Sequence, residues 1–167
     1  MKLFCFAILF LSILTSSLGQ TNTKVDQLKG FKVFTFDSTP EEYNGNLRLD
    51  LTISYGLKYY KYTGKEARDI HGFKASDINV GFRDDRLEYI DFYFKKIESS
   101  NFEELFAKLS ETFGTGEKLE NPDEKGVVQA VEWKGKKVLI QLYRYDDTAN
   151  DTEDRNKTVL MINDPNI

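Results

Sequence analysis

The chain has 167 residues, with 23 Lys and Arg against 27 Asp and Glu, one histidine, one cysteine and a net charge of −4. That length suits one domain with a real core, and the mildly acidic balance argues against the basic stripe that binding to nucleic acid or an anionic lipid surface requires. One cysteine cannot form an intrachain disulfide or a thiolate metal cluster, and one histidine cannot form a multi-histidine zinc site.

In chain order, Lys2 precedes an apolar run, residues 3–14 (LFCFAILFLSIL), followed by the small residues of Ser17-Leu18-Gly19. A membrane-spanning helix needs about 20 apolar residues, whereas a positive start, a short apolar stretch and a small-residue cleavage site describe a secretory leader. The alternatives are an uncleaved anchor or a buried helix. The predicted division is residues 1–19 as signal peptide, 20–29 as a loose polar tail and 30–167 as one domain. Cleavage would remove Cys5 and Lys2, leaving a cysteine-free chain with the net charge moved from −4 to −5. The expected location is periplasmic or extracellular, in solution.

Residues 31–36 (FKVFTF) are rich in strand formers. Thr39-Pro40-Glu41-Glu42 then reads as a capping box with proline at the first helical position, and Asn44-Gly45 stops that helix within a turn or two. Leu47, Leu49, Leu51, Ile53, Tyr55, Leu57 and Tyr59 alternate with polar residues, the pattern of a half-buried antiparallel strand, with Gly56 as a bend. Residues 78–94 read as a hairpin around the charged turn 83–86. Ser100-Asn101 opens a predicted helix whose Phe102, Leu105, Phe106, Leu109 and Phe113 form one stripe, and Gly114 follows it. A second hairpin is predicted over residues 127–145, turning at Lys134-Gly135-Lys136, and a last strand over 157–163. The expected fold class is α+β: an antiparallel sheet with helices packed on one face, arranged as two copies of a helix-plus-meander unit over about residues 31–96 and 100–163.

Four motifs, at residues 30–42, 78–94, 101–114 and 133–135, give the chain a resemblance to small exported bacterial domains of unknown function. The fold of those domains is similar to that of the small lipoprotein of outer-membrane assembly and to the beta-lactamase-inhibitor protein fold. The resemblance implies an α+β envelope or binding module. The lipoprotein's attachment cysteine and the inhibitor's disulfide cysteines have no counterparts here, so no functional residue carries over.

The binding candidates are Tyr60 and Tyr62. If the leucine face of the strand is core, these two point the other way and are displayed, and tyrosine is favoured at protein interfaces. The competing reading is that the second face is covered as well. The leading expectation is thus a non-enzymatic protein-binding or envelope-assembly module with a protein partner, no nucleic acid, no membrane span and no cofactor. The alternative is a small hydrolase or glycan-acting protein using paired carboxylates, with Asp84, Asp85, Glu88 and Asp91 as the acids at hand; the bland account of these is a solvated hairpin turn. The loop 146–154 offers Asp146, Asp147, Asp151 and Asp154 as calcium ligands, although positions 6 and 12 of an EF-hand loop would hold Asp151 and Lys157 instead of Gly and Glu. The bland account is a solvated loop. His71 lies before Gly72 in a predicted turn, Trp133 reads as a core plug more than a sugar platform, and Gly114-Thr115-Gly116 follows a helix, the wrong end for an anion. Asn150-Asp151-Thr152 and Asn156-Lys157-Thr158 are glycosylation sequons, relevant only in a host that uses them.

Overall fold

The computed structural model describes residues 23–53, 56–120, 122, 124–149 and 155–163. The predicted leader, Tyr55, Asp151 and Asp154 lie outside the described residues. A helical turn, α1 (Thr23–Asp26), opens the described chain. Two short strands, β1 (Gly30–Phe31) and β2 (Phe34–Thr35), form a small hairpin. Val25 and Phe34 are buried in the main core, so the segment predicted as a loose tail is packed down from its first described turn.

After β2 comes a 3-10 turn, Pro40–Tyr43, where the Thr39 amide donates to Glu42 Oε1 at 2.9 Å. Asn44 (φ 49°) and Gly45 (φ 75°) then take left-handed conformations that end it after one turn. The strands β3 (Leu47–Thr52), β4 (Leu57–Tyr62), β5 (Asp69–Ile70), β6 (Phe73–Arg83) and β7 (Arg86–Phe94) follow. Then come the helix α2 (Ser99–Phe113) and the strands β8 (Glu117–Lys118), β9 (Val127–Lys134), β10 (Leu139–Tyr145) and β11 (Thr158–Asn163). Every strand pairing is antiparallel, and the main sheet runs β3-β4-β6-β7-β11-β10-β9-β8, with β5 paired to the end of β6.

This overturns the α+β expectation. The molecule is mostly antiparallel sheet, and α2 is the only helix longer than a turn among the described residues. The expected helix-plus-meander repeat fails for the same reason. The Asn44-Gly45 stop comes so early that the first half has no helix able to pack on a sheet. What the halves share is a four-strand run, β3-β4-β6-β7 and β8-β9-β10-β11, joined through β7 and β11.

The core sits between one sheet face and a cover made of α2, the β1–β2 hairpin and the 3-10 turn. Residues directly opposite in an antiparallel ladder share a face, and one row across the sheet reads Tyr60, Val80, Ile90, Ile162, Ile140, Trp133. The helix buries Phe102, Leu105, Leu109 and Phe113 against that face. At about 25 cal/mol per Å² of apolar surface removed from water, stacked rows of this kind dominate the stability of the fold. The indole Nε1 of buried Trp133 donates to the Gly114 carbonyl at 2.9 Å. Gly116 lies under the same ring, where an added Cβ would come within 2.6 Å of it. The Gly-Thr-Gly stretch is thus a seat for tryptophan.

Candidate functional site

The face of the sheet away from α2 carries the site. Its row is Leu51, Tyr59, Gly81, Tyr89, Asn163, Leu139, read from the same ladders one position along. Gly81 sits between the two tyrosines. A Cβ there would come within 3.0 Å of Tyr89 and 3.1 Å of Tyr59, so the missing side chain lets the rings approach to 6.1 Å between centroids. Leu51 and Ile53 continue this patch to the sheet edge, where they are 53% and 44% exposed. A polar rim surrounds it. Arg83 Nε pairs with Glu88 at 2.9 Å, Arg83 Nη2 reaches the Tyr89 hydroxyl at 3.4 Å, and Lys61 lies 3.7 Å from Asp50. An apolar, aromatic centre inside a charged rim is the anatomy of a protein interface. Burial, with the Asp91 charge second, pushes the Tyr59 phenol up to about 12, so at neutral pH it presents a neutral ring and a hydrogen-bonding hydroxyl.

The displayed tyrosines are therefore not the predicted pair. Tyr62 is buried, only 4% exposed, its ring 5.0 Å from Phe34 and its hydroxyl donating to Glu66 at 2.9 Å. Tyr60 is half-buried and packs edge-on against Phe82. Both belong to the core face of the sheet, so the display assigned to them is corrected. The reason is a β-bulge at Asp50. Leu49 pairs with Tyr60 but Leu51 with Tyr59, leaving Asp50 as the extra residue. A single inserted residue shifts side chains to the opposite face, so the leucine row is split between the two faces of the sheet. The sequence carries no signal of this bulge, because Asp50 falls on the polar phase of the alternation just as Arg48 and Thr52 do.

The remaining candidates have structural partners. Asp84 (φ 50°) and Asp85 (φ 60°) make the tight turn between β6 and β7, where left-handed residues match the strand twist. Asp85 pairs with Lys58 at 2.8 Å, Glu88 with Arg83, and Asp91 lies on the open face beside Tyr59. His71 occupies the β5–β6 turn at φ 53°. Its carbonyl accepts from Lys108 Nζ at 3.1 Å, and its Nε2 lies 3.2 Å from Thr112 Oγ1, tying the turn to α2. Asp146 accepts from the Thr148 amide at 2.8 Å and the Thr148 hydroxyl at 2.7 Å, and these bonds hold its carboxyl below the usual carboxylate range. Asp147 is exposed beside it. Among the described residues no three His, Cys, Asp or Glu side chains gather as a metal centre would.

Sequence reasoning did not single out two further features. A cleft of about 690 Å³ runs between α1, β2 and the start of β7. One of its acids, Asp26, accepts the backbone amides of Lys136 and Lys137, and another, Glu88, is the partner of Arg83. Arg68 donates to the carbonyls of Gly64 at 3.1 Å, Ser76 at 2.5 Å and Tyr62 at 3.2 Å, clasping the β4–β5 connection to β6. No helix among the described residues is long and apolar enough to cross a membrane. No family model, no curated protein and no solved structure matches this chain.

Proposed function

We propose that this chain is an exported, non-catalytic binding module that recruits a protein partner in the envelope or outside the cell. Its contact surface is the corner of the open sheet face formed by Leu51, Ile53, Tyr59 and Tyr89. The observation that carries the reading is the exposure of Leu51 and Ile53 next to the tyrosine pair. Isolated exposed leucines are ordinary, whereas contiguous apolar side chains with a polar rim mark interaction surfaces. The Lys2-plus-apolar leader pattern supports export. Partner chemistry follows from the patch: an apolar or aromatic anchor for the rings, flanked by charges able to meet Arg83 and Lys61.

The test is photocrosslinking in the native host. A photoreactive benzoylphenylalanine in place of Ile53 is expected to give a small set of discrete protein adducts, lost on adding Leu51→Asp. The same group in place of Ala107, exposed on the outer side of α2, serves as the control. No adduct from position 53, or the same adducts from position 107, overturns the reading.

A further inference from the structure

We infer that the β3 edge pairs with the β3 edge of a second copy of this chain, antiparallel about Leu49, joining two sheets into one. This rests on reading the same corner as a protein-binding surface, and it names one occupant for its edge. Among the described residues β3 stands at the end of the strand order, so one side of its backbone has no ladder partner there. Its apolar side chains are exposed on both faces of the sheet. Leu49, 54% exposed, lies on the helix side in register with Tyr60, and Leu51 lies on the open side in register with Tyr59. A partner resting on one face would cover only one of them. An added strand paired over residues 48–50 meets Leu49 on the helix side and Arg48 and Asp50 on the open side at once, while the bulge at Asp50 leaves Leu51 outside this short ladder.

Charge selects which strand. Edge strands ordinarily carry charges that repel an incoming chain. Here the charges are of opposite sign at equal distance on either side of Leu49. Arg48 stands in register with Lys61, and Asp50 reaches the same Lys61 at 3.7 Å, which places both on the open face. Arg48 is exposed and has no carboxylate within ion-pair distance among the described residues. Inverting the strand about Leu49 puts Arg48 opposite Asp50 of the second copy, and Asp50 opposite its Arg48. A twofold interface repeats every contact, so one complementary pair becomes two, and Leu49 meets Leu49 between them. Directly opposed unlike charges stabilise a cross-strand pairing and like charges oppose it, so this edge matches its own inverted copy and repels strands with other charge patterns. The opposite end of the sheet closes the assembly. β8 has only two residues and offers no comparable ladder, so growth stops at two copies.

The test is sedimentation of the full chain over a concentration series, with a charge swap. The wild-type protein is expected to self-associate reversibly to a dimer. Arg48→Asp and Asp50→Arg, each alone, set like charges against each other and should weaken self-association at least about tenfold. An equimolar mixture of the two variants should restore the dimer, because each then presents the charges the other lacks. Both positions are exposed, and unchanged melting temperatures of the two variants check that they fold. A wild-type chain that stays monomeric at its highest soluble concentration, single variants that dimerise undiminished, or a mixture that fails to rescue would each overturn the inference. Adducts from position 53 to a different protein, together with a monomeric wild type, would sink the self-pairing and leave the broader binding function standing.

Discussion

At the scale of single residues, the tyrosines divide by what surrounds them. Tyr62 fills the space between Phe34, the β4–β5 connection and the core. Tyr62→Ala is therefore expected to lose about 3–5 kcal/mol, the range for truncating a buried aromatic side chain. Leu51→Ala, at an exposed edge, is expected to change stability by no more than about 0.5 kcal/mol. Urea unfolding of the two variants checks both, and a Tyr62→Ala protein as stable as wild type would return that ring to the surface. The phenols give an independent reading. Burial, reinforced for Tyr59 by the Asp91 charge and for Tyr62 by the bond to Glu66, raises both to about 12. A phenol is neutral when protonated, so a raised value in the fold means stability that is complete below pH 10, the ordinary tyrosine value, and lost as pH rises through about 12. Tyrosinate absorbance followed against pH should show a late-titrating group that shrinks in Tyr59→Phe and again in Tyr62→Phe. All phenols ionising together near pH 10 would contradict the burial.

At the scale of elements, Arg68 shows how a loop is fastened. Four backbone carbonyls, of Tyr62, Gly64, Ala75 and Ser76, converge on one guanidinium, and Arg68→Ala would leave them without their donor at about 1–3 kcal/mol in total. Lysine cannot reproduce a planar fork, so Arg68→Lys should recover less than half of the loss in thermal unfolding; full recovery would mean that charge alone is at work. These elements were unequally legible. The α2 stripe, the capping box at Thr39, the stop at Asn44-Gly45 and both hairpins follow from spacing and turn chemistry, and the structure forms each of them. The helix starts one residue before Ser100, with Glu98 as its N-cap. What spacing cannot show is which face of a strand meets the helix. Strict alternation from Leu47 to Tyr59 implied one leucine face, and a bulge at Asp50 divides that row between faces. Nor does alternation distinguish an edge from a central strand, since both bear the same period; the exposure of Leu49 and Leu51 goes with β3 being the end strand among the described residues. The candidate site was missed for that reason, although Gly81 and the nearby tyrosines were visible in the sequence.

At the scale of the whole molecule, one sheet shared by two four-strand runs is covered on one side by α2 together with the β1–β2 hairpin and the 3-10 turn. The two exposed parts of the sheet thus have different characters. The open face is a mosaic of tyrosine, amide and carboxylate, and the β3 edge is a short strip of leucine between opposite charges. Near β10 and β11 the open face is partly closed by Ala149, which packs with Tyr145 and Val159.

The position of β11 has a consequence for how the chain acquires this structure. It is the last described strand in sequence, yet it lies between β7 and β10, and among the described strands it alone links the two runs into a single ladder. Until residues 158–163 arrive, the earlier strands form two separate meanders, each with an unpaired inner edge. Contacts between distant parts of a chain form slowly because ordering precedes reward. Joining the two runs into one sheet therefore waits on the last described strand, and a partly synthesised chain stays pliable until β11 docks.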